Sequence, residues 1–244
     1  MTQTLHGRVA LVTGGSRGIG AAIALALAKV GAAVAINYCS RSSDAEAVAR
    51  TINQGSGRAV ALQADVSDSC AVTALVQSAS EQLGPVDILI NNAGIALIRG
   101  MDDLTEADFD KTIAVNLKSA FLCTQAVLPH MRAQRWGRIV NISSGAARGA
   151  GAVGVHYNAS KAGIEGLTRG YAAQLVKEGI TVNAVAPSLI ETDMVKSGVA
   201  QSPSRIPLGR FGTTEEVAQV VMMVVGNEYM TGQTVALSGG MAFN

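Results

Sequence analysis

Ser144, Tyr157 and Lys161 are the residues in this chain whose types and spacing could do chemistry together. The segment Y-N-A-S-K places the tyrosine and lysine four residues apart, with Ser144 thirteen residues upstream in I-S-S-G. On a helix, positions i and i+4 share a face, so phenol and ammonium can address one ligand. A free phenol has a pKa of about 10 and is a poor acid or base at neutral pH. A lysine cation about 4 Å away would favour the phenolate by roughly 4 kcal/mol at an effective dielectric near 20. That predicts a phenol lowered by as much as ~3 units before burial opposes it, poised for proton transfer to a carbonyl oxygen. Alone, Y-x-x-x-K is a common helical pair, and its meaning depends on the elements that position it.

Those elements follow from the hydrophobic pattern. Short β-branched runs alternate with long Ala/Leu-rich stretches of helical period, the pattern of parallel βαβ units. Strands are predicted near 8–13, 33–37, 58–63, 87–91, 137–142, 180–186 and 234–237. Helices are predicted near 18–30, 42–53, 68–83, 106–133, 157–178 and 213–225. The fold class expected is α/β: one Rossmann-type doubly wound domain over residues 1–244, a seven-stranded, mostly parallel sheet with helices on both faces. Such sheets bind ligands beyond the carboxyl ends of their strands, where every motif here falls. Linkers, repeats and low-complexity tracts are absent from the sequence.

Composition narrows the function further. The 244 residues are 48% hydrophobic with a formal charge of +1, which gives no electrostatic case for nucleic acid or an anionic membrane. The longest apolar stretch, Ala21 to Ile36, is interrupted by Lys29 and Gly31 and is too short for a membrane span. Cys39, Cys70 and Cys123 suit neither a disulfide framework nor a zinc site, and His6, His130 and His156 lack metal-ligand spacing. Met1 to Gly7 is polar and has no leader pattern, so a cytoplasmic protein is expected.

The first predicted strand runs into Gly14-Gly15-Ser16-Arg17-Gly18-Ile19-Gly20, then a helix. Glycines admit a pyrophosphate close to the backbone, and a helix N-terminus offers free N–H groups. The spacing is G-x-x-x-G-x-G rather than the usual dinucleotide fingerprint, but the strand–turn–helix context is right. Asp65-Val66, after the third strand, stands where an adenine would be held. The second strand ends in Asn37-Tyr38-Cys39-Ser40-Arg41, without the acid that would bind a ribose 2′-OH. Arg17 and Arg41 instead suit a 2′-phosphate, so the cofactor expected is NADP(H) rather than NAD(H).

With T-G-G-S-R-G-I-G, N-N-A-G at Asn91 to Gly94, Asn116, Ser144 and Y-N-A-S-K in order, the chain resembles the short-chain dehydrogenase/reductase family over essentially its whole length. Its tail, G-R-F-G-T-T-E-E-V-A and T-G-Q-T-V-A-L-S-G-G-M, is most similar to the 3-oxoacyl-(acyl-carrier-protein) reductase branch. The resemblance implies that Tyr157 protonates the carbonyl oxygen as hydride arrives, that Ser144 bonds the same oxygen, and that Lys161 binds the nicotinamide ribose. It implies that Asn116 holds a water of a proton relay, and that Asn91, Ala93 and Gly94 support the cofactor. Val115 would pack near the adenine, while Pro187, Ile190 and Thr192 would border the carboxamide. It further implies a homotetramer. Two departures stand out. Members usually carry Pro-Gly where this chain has Pro187-Ser188, so either the turn is shifted or the glycine never needed a positive φ. A carrier-docking pair of basic residues would fall at Arg135 and Glu178, and the acid would repel an acidic carrier.

The substrate would lie over Tyr157 among three loops: Ile95 to Met101, Gly145 to His156, and Ser188 to Leu208 with Gly198, Pro203 and Pro207. Pocket candidates are Leu97, Ala146, Val153, His156, Leu189 and Met194. Arg148 meets either a substrate anion or solvent. The small, apolar middle loop points to a modest hydrophobic ketone or acyl thioester. The competing readings are an alcohol, polyol or steroid-like dehydrogenase and a non-enzymatic dinucleotide-binding regulator, which would have no use for the four catalytic candidates together.

Overall fold

A computed structural model of the chain describes residues 4–195 and 202–242. Residues 196–201, including Gly198 of the expected substrate loop, lie outside the described residues. Seven strands form one sheet: β1 Val9–Val12, β2 Ala33–Tyr38, β3 Arg58–Gln63, β4 Ile88–Asn91, β5 Gly137–Ile142, β6 Ile180–Pro187 and β7 Thr234–Leu237. Their order is β3-β2-β1-β4-β5-β6-β7, every neighbouring pair parallel. The order reverses between β1 and β4, which opens a crevice at the strand ends carrying the glycine-rich turn and N-N-A-G.

Among the described residues seven α-helices cover the sheet: α1 Gly18–Lys29, α2 Ser42–Gln54, α3 Ser69–Leu83, α4 Glu106–Ile113, α5 Ser119–Gln134, α6 Val155–Leu175 and α7 Thr214–Gly226. The period of two along β1 sends Ala10 and Val12 into the core under α1, α2 and α7, and Leu11 into the core under α3, α5 and α6. Burying each large aliphatic chain contributes roughly 1.5–3 kcal/mol. With both faces covered, an uninterrupted apolar strand such as Ile88-Leu89-Ile90 is wholly buried.

The helix expected over 106–133 is not continuous α-helix. Residues Ala114–Lys118 wind as a π turn between α4 and α5, with the buried Asn116 at its centre. Reading 106–133 as one long helical stretch missed this, because the single extra residue of a π turn carries no sequence signal of its own. The helix expected from 157 begins at Val155, released by Gly154 at φ 141. At α7, Thr213 and Glu216 form a reciprocal capping box, which fixes the helix that follows the substrate loop.

Candidate active site

Tyr157 and Lys161 lie on the buried face of α6, at the carboxyl ends of β5 and β6. Ser144 ends the segment leaving β5, and its Oγ accepts from the Ala146 N–H at 3.2 Å. The Lys161 Nζ donates to the Ile142 carbonyl at 2.8 Å and stands 5.8 Å from the centre of the Tyr157 ring. The three groups expected from spacing are thus brought together.

Their electrostatics correct one expectation. Burial holds the Tyr157 phenol above its ordinary value, and only the Ser144 hydroxyl, hydrogen-bonding to it, pulls the other way. Burial likewise lowers the Lys161 ammonium to about 8. The cation does not acidify the phenol here because desolvation dominates for both groups and Nζ is spent on a backbone carbonyl. Tyr157 is therefore a protonated phenol at neutral pH, suited to giving a proton.

Asn116 holds the site's frame. Its Oδ1 accepts from the Ile95 N–H at 2.8 Å, and its Nδ2 donates to the Ile95 carbonyl at 3.0 Å and to Ser160 Oγ at 3.1 Å. Ser160 Oγ in turn donates to the Tyr157 carbonyl at 2.7 Å. Asn116 so fastens the loop after β4 to the turn of α6 that carries Tyr157. Ser160 was missed in the sequence although it lies inside Y-N-A-S-K, since a helical serine usually bonds only locally. Ser143, also missed, donates to the Lys161 carbonyl at 3.2 Å.

The nucleotide end fits a dinucleotide. Helix α1 opens at Arg17 without a side-chain cap, so its first N–H groups are open to an anion. A Cβ on Gly20 would come 2.4 Å from the Gly14 carbonyl oxygen, which makes glycine obligatory in the tight turn. A Cβ on Gly94 would sit 3.4 Å from Asn116 Oδ1 and 3.6 Å from Lys161 Nζ, so the bare backbone leaves open the space beside Lys161.

Several expected cofactor residues do other work. Asn37 is buried; its Oδ1 accepts from the Gly14 N–H at 3.3 Å and its Nδ2 serves backbone carbonyls, including Ala64 at 3.1 Å. It is a strut under the glycine turn, because it faces inward on β2. Asn91 also points into the core, bonding Asn141 Oδ1 at 2.8 Å. The neighbouring Asn92, which spacing did not single out, donates to the Thr13 and Gly14 carbonyls at 2.9 and 3.0 Å. Thr13 Oγ1 accepts from the Ala93 N–H at 3.0 Å. Asp65 closes a local turn by accepting from the Ser67 N–H and hydroxyl, which hold its carboxyl below the ordinary carboxylate pKa, and Val66 beside it is buried. Tyr38 Oη reaches Ser42 Oγ at 3.4 Å. Ser16, Ile19 and Val115 are part-exposed around this end.

Arg17 Nη1 pairs with Asp193 at 2.6 Å, and a Cβ on Gly18 would touch Thr192 at 3.5 Å. The glycine turn and the segment after β6 therefore meet across the cleft. Arg41 Nη1 lies 3.4 Å from Asp44 at the start of α2. Pro187 ends β6, and Ile190 is buried, bridging to Gly212.

Around the substrate end, His156 does not line the pocket. It is fully buried, and its Nε2 bonds the Leu97 carbonyl at 2.9 Å, tying the 95–101 loop to α6. Arg148 Nε donates to the buried Glu165 at 2.9 Å while the rest of its side chain stays exposed to solvent, so its charge is already paired. Val153 is buried; Leu97, Ala146 and Leu189 are half-buried, and Met194 is exposed. The Pro187–Ser188 question is resolved in favour of an ordinary backbone. Among non-glycine described residues only Ser56 and Arg135 have positive φ, and the Ser188 N–H donates to the Leu237 carbonyl at 2.8 Å. At the expected carrier surface, Glu178 is gripped by Arg132 at 2.7 and 3.4 Å, so its charge is balanced, while Arg135 bonds the Lys177 carbonyl at 2.9 Å.

A sequence model of the family described as "short chain dehydrogenase" matches residues 8–202, the span holding every site residue above. The chain belongs to that family. It is 42% identical over 241 residues to a 3-oxoacyl-[acyl-carrier-protein] reductase of Synechocystis sp., covering 97% of this chain and 98% of the relative. It is 41% identical over 245 residues to the Thauera aromatica (2S)-[(R)-hydroxy(phenyl)methyl]succinyl-CoA dehydrogenase subunit BbsD, covering 97% of each. A solved structure, that of a blue fluorescent protein from a metagenomic library in complex with NADPH, superposes with a TM-score of 0.92 at 40% identity, covering 99% of this chain and all of that one. The seven-stranded parallel sheet and the oxidoreductase class are those of the family. Among the described residues no helix is long and apolar enough to cross a membrane, and no cluster of metal-ligating side chains occurs.

Proposed function

We propose that this short-chain dehydrogenase is an NADPH-dependent reductase of a ketone or 3-oxoacyl carbonyl. The carrying observation is the buried, protonated Tyr157 phenol beside Ser144 at the end of β5. A bound reduced nicotinamide supplies hydride to the carbonyl carbon. Tyr157 gives its proton to the carbonyl oxygen, so the ketone gains one hydride and one proton and leaves as an alcohol. Ser144, hydrogen-bonded to the phenol, shares that oxygen and holds it in reach, as general-acid geometry requires. Lys161, with a proton affinity near neutrality, returns a proton to the tyrosinate. Asn116 and Ser160 keep the helix turn and the Ile95 loop in register while this happens.

Preference for NADPH rests on the absence of an acid at the end of β2, on Arg41 just beyond it, and on Arg17 in the glycine turn. The NADPH-bound neighbour points the same way. Exposed Phe109 and Phe121 on α4 and α5 support pairing of these helices across a two-fold in a homotetramer, which light scattering tests. The function is tested by following NADPH consumption with a panel of ketones and acyl thioesters, free and carrier-linked. Turnover by the unaltered chain that Tyr157→Phe abolishes, with NADPH affinity retained, is the expected result. Absence of turnover across the panel, or substantial activity in Tyr157→Phe, overturns the reading.

A further inference from the structure

Ser188 carries a hydroxyl where the resembled family usually has no side chain, and its surroundings leave that hydroxyl unused. The backbone is pinned by the hydrogen bond to the Leu237 carbonyl at 2.8 Å, so the side chain projects from a fixed point at the carboxyl end of β6. It faces Gly145: a Cβ there would come 2.4 Å from Ser188 Oγ and 3.4 Å from Ser188 Cβ. Gly145 directly follows Ser144 and opens the short 3₁₀ turn Gly145–Ala147. The missing side chain at 145 is what makes room for the hydroxyl at 188.

A serine hydroxyl offers one donor and two acceptor sites, and in protein interiors such groups are normally taken. Among the described residues Ser188 Oγ makes no hydrogen bond, and it is not among the sealed, unpartnered atoms of the interior. Ser188 is only half-buried. It is therefore a free donor beside Gly145, one strand over from Ser144, since β5 and β6 are adjacent and parallel and the Ser143 N–H continues their pairing to the Val185 carbonyl at 2.8 Å. Adjacent strands lie about 4.8 Å apart. A 3-oxo ester or thioester, its two carbonyl carbons separated by one methylene, reaches across that interval with both oxygens bonded.

We infer that Ser188 is a substrate-recognition residue whose hydroxyl donates to a second oxygen of the substrate, β to the carbonyl being reduced. The protein accordingly selects 3-oxoacyl esters and thioesters over isolated ketones. The inference rests on the ketone-reduction reading above and deepens it. Ser188 needs to touch neither the reacting oxygen nor the cofactor, so its role is separable from that of Tyr157.

The test compares ethyl 3-oxobutanoate with 2-heptanone, a ketone of the same chain length that lacks the second carbonyl, in the unaltered protein and in Ser188→Ala and Ser188→Gly. The expected result is a KM for the ester raised about tenfold in both variants, the loss of one hydrogen bond, with kcat/KM for 2-heptanone within threefold of the original. Turnover of 2-heptanone also reports that the variants are folded. Equal losses on both substrates, or a substrate ratio indifferent to residue 188, overturn the recognition role while leaving ketone reduction standing. Turnover of neither compound by the unaltered protein overturns the reading and the inference together.

Discussion

Replacing Lys161 by methionine should change how stability responds to pH, not only how fast the protein works. The lysine is 5% exposed and held at about 8 by desolvation, against 10.5 for the free side chain. Below pH 8 the folded state must accommodate a buried ammonium that the unfolded chain keeps in water. The unfolded state binds more protons throughout the interval between the two values, so stability rises with pH there. A depression of this size corresponds to about 3 kcal/mol of stability withheld at pH 7. About 2 kcal/mol of it is regained by pH 9.5 as the folded lysine becomes neutral. Lys161→Met has no such titration, and loss of the Ile142 hydrogen bond adds only a pH-independent offset. Urea unfolding of both proteins at several pH values between 7 and 9.5 gives the difference directly, other groups cancelling. The unaltered protein should gain about 2 kcal/mol relative to the variant over that range. Parallel pH profiles would refute the reasoning, and a difference falling with pH would mean that the ammonium is stabilised in its site.

Asn116→Ala removes three hydrogen bonds to the Ile95 backbone and Ser160 in a buried place; it should cost about 2–4 kcal/mol, read as a fall in melting temperature, and a shift under one degree would contradict the clamp. Arg17→Ala and Arg41→Ala should weaken NADPH binding far more than NADH binding by titration calorimetry, whereas equal losses for the two cofactors would remove the phosphate argument.

The sheet was legible because strands covered on both faces read as continuous apolar runs, and β7 falls on the residues predicted for it. Positions that do chemistry were legible by type and order. The direction of a side chain was harder to read. Asn37 and Asn91 sit at strand ends where a cofactor passes, yet the pleat turns both inward, and their neighbour Asn92 takes up the glycine turn. Ser160 and the Arg148–Glu165 pair stayed hidden because their partners are far away in sequence. The phenol's raised proton affinity also escaped a pairwise estimate: the Tyr157–Lys161 spacing suggests attraction, and only the fold supplies the desolvation that outweighs it.

The π turn at Ala114–Lys118 also limits how this chain can change in length. One residue more or less in a helix rotates everything beyond it by about 100°. On one side of the turn, α4 packs beside α6. On the other, α5 sends Cys123, Val127 and Met131 into the core. Deleting a single residue to restore regular helix would keep one of these faces and swing the other toward water, carrying Asn116 off Ile95 or the α5 anchors off the sheet. Insertions and deletions tolerated in the surface loops should therefore be excluded here, and a single-residue length scan across 106–134 would show a sharp minimum in soluble yield at this turn.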